Sequence, residues 1–312
     1  MKVAIIGAGV MGSLIGAILH KAGAEVWLVD ANETIVKHIQ MNGLKISIND
    51  TEDIVKINAV QSPSEIDQIM DVIIFLVKGC YTDVAAKSAK CLAGDKTYIM
   101  TLQNGIGNVE ILARYYNMDQ ILYGILEFAG KMVELGHIRG FIGKNSKICF
   151  GSTKKVINND LKKIADLLGR TGVKVILRDD IDSEVWIKLR NNSTNVVFGL
   201  LRLTMGQALA AAGTEELMLA VRNEVIAVGT AKGIQFTEDQ LSINGGKTPI
   251  NTELYAHLPS TAQDMKNKAK TEIEFINGAI YKEGLVLGVP TPYNELLYKM
   301  VKIMEDTYEM QF

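Results

Sequence analysis

The stretch VWIKLRNNSTNVVFGLL at residues 185–201 sets one lysine and three asparagines among residues apolar enough for a core. An amide or hydroxyl buried without a partner costs roughly 2–7 kcal/mol on the harsher scales. These groups therefore either lie on a solvated face or line a site that uses them. On a helix at about 100° per residue, with Lys188 at zero, Asn192 falls near +40°, Asn195 near −20° and Asn191 near −60°. Ser193 and Thr194 fall elsewhere. Solvated faces favour Glu and Lys over repeated asparagine, a mediocre helix former, so the stripe reads as the wall of a polar cleft. A lysine held there beside a nicotinamide can protonate an alkoxide as hydride reaches a carbonyl carbon, and its ammonium polarises that carbonyl beforehand.

A source of hydride is written at the other end of the chain. Gly7-Ala8-Gly9-Val10-Met11-Gly12 matches G-x-G-x-x-G directly after an apolar run and at the start of a helical pattern. In a dinucleotide site Gly7 makes the tight turn, Gly9 leaves room for the pyrophosphate and Gly12 lets the helix pack on the strand. The next strand, EVWLVD, ends in Asp30, 18 residues after Gly12, where a carboxylate hydrogen-bonds ribose hydroxyls. A glycine-rich turn without a ligand is the competing reading, and the acidic partner weighs against it. Asp30 would also repel a 2′-phosphate, and Ala31-Asn32 supplies no arginine to offset it, which favours NAD over NADP.

Two further strand ends carry polar groups: Lys78 follows the run Asp71–Val77, and Gln103-Asn104-Gly105 follows Thr97–Leu102. Ligands of open parallel sheets bind outside the carboxyl ends of strands. Lys78 is equally readable as a solvated lysine, and Asn104-Gly105 as an ordinary turn. From Ser260 onward Asp264 and Glu272 sit in a charge-rich helical pattern whose default is a surface, and position alone does not single out Glu272.

The elements that must position these groups follow from hydrophobic period. Val3–Ile6, Glu25–Val29, Asp71–Val77 and Thr97–Leu102 read as buried parallel strands, alternating with helices at Val10–Ala22, Glu33–Met41, Thr82–Leu92 and Asn108–Tyr116. Residues Ile121–Phe150 read as short strands forming an antiparallel extension, closed by helix Asn158–Arg170 and strand Val173–Leu177. Beyond Arg178 long helices dominate, at 181–203, 207–233, 260–287 and 292–309, with a loop at Gly245–Pro249. The expectation is an α/β protein: a doubly wound Rossmann domain over 1–178 and a mainly helical substrate and dimerisation domain over 179–312.

Composition narrows the function. The 312 residues hold 33 Lys and Arg against 35 Asp and Glu, a net charge of −2, and no basic run, so no nucleic-acid footprint is expected. Cys80, Cys91 and Cys149 have no metal-like spacing and read as reduced, buried cytosolic thiols. The uncharged run Val3–Leu19 is short and glycine-punctuated for a membrane span. A cytoplasmic protein without metal or membrane partner is expected. His20, His38, His137 and His257 form no recognisable His–carboxylate pair for a dehydrogenase of that kind.

Taken together, GAGVMG at 7–12, LVKGC at 76–80, LQNGIGN at 102–108, EVWIKLRNN at 184–192, PSTAQDMKNKAKTEIEFINGAI at 259–280 and GVPTP at 288–292 resemble, from end to end, the ketopantoate reductase family of 2-oxoacid reductases. The resemblance implies an active site between a Rossmann and a helical domain, with Lys188 as general acid and Glu272 positioning the substrate near it. It implies that Ser260 hydrogen-bonds the substrate carboxylate, that Asn104 stands where cofactor and substrate meet, that Lys78 is the lysine after the third principal strand, and that Asn192 is the first amide beyond the lysine. Two positions depart from the family pattern. A second amide is common eight residues after the lysine, where this chain has Val196 with Asn195 beside it. NADPH-preferring members carry a basic residue near the end of the second strand, where this chain has Asp30. Both departures point to the family's NAD-dependent D-2-hydroxyacid dehydrogenases, of the D-mandelate dehydrogenase kind, which take 2-oxoacids with bulky or C3-branched side chains. The alternatives are an NADPH-dependent ketopantoate reductase and, in another class, a non-catalytic dinucleotide sensor. Helical substrate domains with apolar faces often dimerise, so a homodimer is expected.

Overall fold

The computed structural model describes residues 1–49, 51–241, 256 and 258–311. The chain begins β1 (Lys2–Ile6), α1 (Val10–Lys21), β2 (Glu25–Val29), α2 (Glu33–Asn42), β3 (Leu44–Ile48), β4 (Thr51–Val55) and β5 (Asn58–Val60). It continues with β6 (Val72–Phe75), α3 (Thr82–Ala89), β7 (Tyr98–Thr101), α4 (Asn108–Leu112) and β8 (Ile121–Leu126). Then come β9 (Ala129–Glu134), β10 (His137–Phe141), β11 (Lys147–Ser152), α5 (Asn159–Gly169) and β12 (Lys174–Leu177).

One sheet has the order β12-β11-β8-β7-β6-β1-β2-β5. From β5 to β8 all neighbours are parallel. Numbered among themselves, these six strands run 3-2-1-4-5-6, the doubly wound Rossmann order. Val3 and Ile5 of β1 pack into one apolar cluster with α1 and α5, whereas Ala4 and Ile6 pack into another with α3 and α4. A strand covered on both faces has no polar side to alternate, so these segments are continuous apolar runs.

The expected antiparallel extension over 121–150 is corrected in part. β8 joins the main sheet parallel to β7, and β11 pairs antiparallel with β8. β9 and β10 leave it for a second sheet, ordered β4-β3-β10-β9, whose β3–β4 hairpin the hydrophobic pattern did not reveal. Gly130 and Gly140 allow this sheet to lie on α1, since a Cβ at either would stand 2.9 Å from a side-chain carbon of Val10 or Leu14. On its other side α1 meets the main sheet, Gly16 lying against Leu28 and Ile5. Gly12 through Leu19 are accordingly all buried. The uncharged N-terminal run is thus a buried strand, a glycine loop and a helix covered all round.

The chain divides into two compact units, Met1–Gln103 with Asn108–Ile181, and Asn104–Gly107 with Asp182–Phe312. The second contains α6 (Asp182–Asn192), α7 (Asn195–Leu201), α8 (Met205–Leu209), α9 (Thr214–Ala231), α10 (Glu238–Leu241), α11 (Ser260–Lys266), α12 (Asn277–Leu287) and α13 (Pro292–Asp306). Three of the expected long helices are broken, each for a local reason. At 193–194 the Ser193 and Thr194 hydroxyls donate to the carbonyls of Arg190 and Asn191, at 2.8 and 3.0 Å, competing with the helical ladder. Gly213 at φ +84° precedes α9. Lys268 at φ +52° ends the turn after α11, and Thr271 is held by Glu305 through its N–H and hydroxyl at 2.8 and 2.7 Å. The loop expected at Gly245–Pro249, and His257, lie outside the described residues.

Cys80 and Cys91 are exposed and Cys149 is buried, with no disulfide among them. The expectation of three buried thiols therefore fails for the two that lie in the surface turns flanking α3. Among the described residues no helix is long and apolar enough to cross a membrane.

Candidate active site

In the first unit the glycine loop sits at the carboxyl end of β1. Gly7 has φ +104°, donates to the Val29 carbonyl at 2.8 Å, and a Cβ there would stand 2.8 Å from Val77 N. A Cβ on Gly12 would fall 1.8 Å from the Gly7 carbonyl oxygen, so only glycine lets α1 start against this turn. Gly9 differs: a Cβ there meets nothing within 4 Å. Nothing inside the protein requires glycine at that position, but a ligand approaching the backbone would. Gly9 is also the N-cap of α1, with no side-chain cap and no acidic residue in the first turn. Ala8 is buried, while Val10 and Met11 are half-buried at the rim. Backbone donors and the positive end of a helix beside open space fit a dinucleotide pyrophosphate.

Asp30 follows β2 and accepts from Ala8 N at 2.7 Å through one oxygen and from Asn32 N at 2.9 Å through the other. The carboxylate thus ties the glycine loop to the start of α2, and each oxygen retains a lone pair for a ribose hydroxyl. Asn32 in turn caps α2, accepting from Thr34 N at 3.0 Å. The tie from Asp30 to the loop adds to the role read from the sequence.

Lys78 lies two residues beyond Leu76, whose N–H donates to the Ile6 carbonyl at 2.9 Å, so it enters from the strand beside the glycine loop. This is the point at which strand order reverses between β1 and β6. Its backbone carbonyl accepts from Tyr81 N at 2.8 Å, fixing the turn, and its side chain is half-buried. Sequence reasoning missed the group that braces these strand ends. Buried Gln103 donates to the Val77 carbonyl at 2.7 Å and to Thr82 Oγ1 at 2.8 Å, and accepts from Thr101 Oγ1 at 2.9 Å. Thr82 passes its proton on to Asn108 Oδ1 at 2.9 Å. A polar residue directly after a buried strand was the available signal.

In the second unit the Asn104 amide donates to Glu272 Oε2 at 3.2 Å, across 168 residues of sequence. Gly105, at φ +85°, and the Ile106 N–H, at 2.9 Å from the Phe275 carbonyl, seat the Asn104–Gly107 turn on the short 3-10 turn Ile273–Phe275 that Glu272 introduces. A Cβ on Gly105 would collide with the Phe275 carbonyl, 2.1 Å away. Ile106 and Ile276 pack in one apolar cluster with Trp186 and Leu189, the neighbours of Lys188 on α6. One cluster therefore clamps the three segments that carry Asn104, Glu272 and Lys188.

Lys188, Asn192 and Asn195 are half-buried, whereas Asn191 is exposed. Although the helix breaks after Asn192, Asn195 Nδ2 still donates to Asn192 Oδ1 at 3.3 Å, so the two amides stay together. Val196 is 1% exposed among Val197, Val221, Met265 and Ile273. The position eight residues after the lysine therefore points into core here. Ser260 is the first residue of α11 and is exposed. A second group that sequence reasoning missed holds the break itself. Asn277, 1% exposed, donates to the Ser193 carbonyl and to Asn294 Oδ1, each at 2.9 Å. Asn294 donates to Glu224 Oε2 at 2.7 Å, and Glu224 accepts the first N–H groups of α13.

A concavity of about 520 Å³ bordered by His38, Gly43, Lys45, Ile54, Glu134 and His137 lies at the second sheet, and none of the expected site residues lines it.

Residues 3–155 match the family described as ketopantoate reductase PanE/ApbA, and residues 180–305 match its C-terminal part. A 2-dehydropantoate 2-reductase of Aquifex aeolicus (strain VF5) is 30% identical over 98% of this chain and 97% of its own. Among solved structures, D-mandelate dehydrogenase with NADH and anilino(oxo)acetate matches at a TM-score of 0.91 and 30% identity, covering 98% of this chain and 99% of that one. A PanE/ApbA family ketopantoate reductase from Ralstonia eutropha JMP134 matches at 0.88 and 29%, covering 99% and 100%.

Proposed function

The chain belongs to the ketopantoate reductase family of NAD(P)-dependent oxidoreductases, and from that premise we propose that it reduces a 2-oxoacid with a bulky or C3-branched side chain to the D-2-hydroxy acid, using NADH. The observation that carries this reading is the Asn104–Glu272 hydrogen bond in the cluster that also clamps the Lys188 helix. Its polar groups suit a small anionic keto substrate.

Bound reduced nicotinamide supplies the hydride that reaches the keto carbon. Lys188 supplies the proton: its ammonium polarises the keto oxygen and then donates to the alkoxide. Glu272 and Asn104 orient the substrate beside that ammonium, Ser260 donates to the substrate carboxylate, and the Asn192–Asn195 pair offers amide groups to the substrate side chain. The glycine loop from Gly7 to Gly12, Asp30, Lys78 and Asn104 hold the cofactor. Asp30 supports NAD over NADP because a 2′-phosphate beside it adds like charge. In this proposal residues 1–178 serve the nucleotide and 179–312 the substrate and a second copy of the chain, in the cytoplasm.

The second reading, an NADPH-dependent ketopantoate reductase, has the names of the curated relatives in its favour. Turnover of ketopantoate, benzoylformate and 2-oxoisovalerate, each with NADH and with NADPH, separates the two. The proposal expects the highest kcat/KM for benzoylformate or 2-oxoisovalerate with NADH. A clear preference for ketopantoate with NADPH overturns it in favour of the second.

A further inference from the structure

Away from the lysine stripe, α6 and α9 bring two arginines together. A Cβ on Gly229 would stand 2.9 Å from the Trp186 ring, and Leu189 shares a cluster with Val225 and Val228. One turn beyond Trp186 on α6 is Arg190, and one turn before Val225 on α9 is Arg222. The register of the helix pair therefore sets the two guanidinium groups near each other. Arg222 is half-buried, and its Nε is buried with no hydrogen-bond partner. Arg190 donates from Nη1 to the Gln240 carbonyl at 2.6 Å, and from Nε and Nη2 to Asn191 Oδ1 at 3.4 Å. These acceptors are neutral. Among the described residues no carboxylate pairs with either arginine.

Such a pair is costly as it stands. Guanidinium does not discharge at any working pH, so two like charges withdrawn from water call for a counter-charge. Burial, and then the neighbouring Arg190 charge, press the Arg222 guanidinium below its ordinary value. The chain supplies carboxylates to many of its other cations, including Lys232 through Glu283 at 2.6 Å on the same helix pair's neighbour α12. Among the described residues it leaves these two without one.

We infer that Arg190 and Arg222 form a binding site for a small oxyanion, a carboxylate or a phosphate group, on the α6–α9 face. The forked N–H donors of guanidinium match two oxygens of either group, and the orphaned Arg222 Nε–H gains an acceptor. Arg190 lies roughly 160° around α6 from Lys188, so the site is separate from the proposed reduction chemistry and stands whether or not that reading holds.

The test uses the full chain, with inorganic phosphate, malonate and chloride titrated at matched ionic strength, followed by thermal unfolding and calorimetry. A saturable rise in Tm of about 3 °C or more with phosphate or malonate, beyond the chloride control, is expected. Whichever of the two binds tighter identifies the source, phosphate or carboxylate. The rise is lost in R222Q and weakened in R190Q, and R222Q in chloride is at least as stable as the parent because a half-buried charge with an unpartnered Nε–H is gone. The glycine loop of the first unit also accepts phosphate, so binding that persists unchanged in both variants belongs there and overturns the inference. Absence of any saturable shift in the parent chain overturns it as well, even if a variant fails to fold.

Discussion

Both oxygens of Asp30 are engaged by backbone N–H groups before any cofactor arrives, so its replacement acts twice. Asp30→Ser removes the charge that opposes a 2′-phosphate and loosens the glycine loop. The NADPH to NADH ratio of kcat/KM should rise about tenfold or more, roughly 1.4 kcal/mol of altered discrimination, while Tm falls. Lys188→Ala should lower kcat by about 10²–10⁴ with NADH binding retained, measured by steady-state kinetics beside a fluorescence titration. Near-normal turnover would remove Lys188 from the mechanism. Val196 separates a family pattern from this fold: Val196→Asn places an amide in an apolar cluster, and should cost about 2–4 kcal/mol in urea unfolding without improving turnover. The Asn192–Asn195 pairing was legible at this scale, because short spacing keeps the two amides together even across the helix break. Gln103 and Asn277 were not, because a buried amide acquires its meaning from partners distant in sequence.

Helix α6 ends because Ser193 and Thr194 bond back to the preceding turn, and Asn277 takes up the Ser193 carbonyl that the break releases. Asn277→Ala leaves that carbonyl and Asn294 each short of a donor. The loss should be about 1–3 kcal/mol by denaturant unfolding, and a value near zero would show that the break holds without it. Hydrophobic period found the helical stretches but ran through their breaks, since a turn that returns to the same axis hardly disturbs the apolar count. Strands β1 and β2 were found within a residue because they are buried on both faces. The β3–β4 hairpin escaped because Thr51 to Ile54 are all exposed, leaving little apolar pattern to read.

Helix α13 turns Asn294, Leu297 and Val301 inward and leaves Tyr293, Leu296, Met300 and Ile303 exposed at i, i+3, i+7 and i+10. An apolar stripe of this kind suits the proposed homodimer, in which a two-fold axis sets the same helix against its copy. Leu296→Glu with Ile303→Glu should halve the mass measured by light scattering. A parent chain already monomeric at micromolar concentration would end that proposal. The sequence by itself determined the α/β class of the first unit and the mainly helical second, because strand and helix periods and the glycine fingerprint are local properties. The strand order, with β5 parallel to β2 and β8 parallel to β7, was decided by the fold. Helical period alone also sets Lys188 and Asn192 one turn apart on α6, whereas Asn195 lies beyond the break and meets Asn192 through its amide. Tertiary structure alone decided that Asn104 meets Glu272 across 168 residues, that Val196 faces core, and that Leu189 of α6 packs with Val225 of α9. Each depends on which helix packs on which, and that is settled by complementary surfaces such as Gly229 under Trp186. No spacing along a single chain records them.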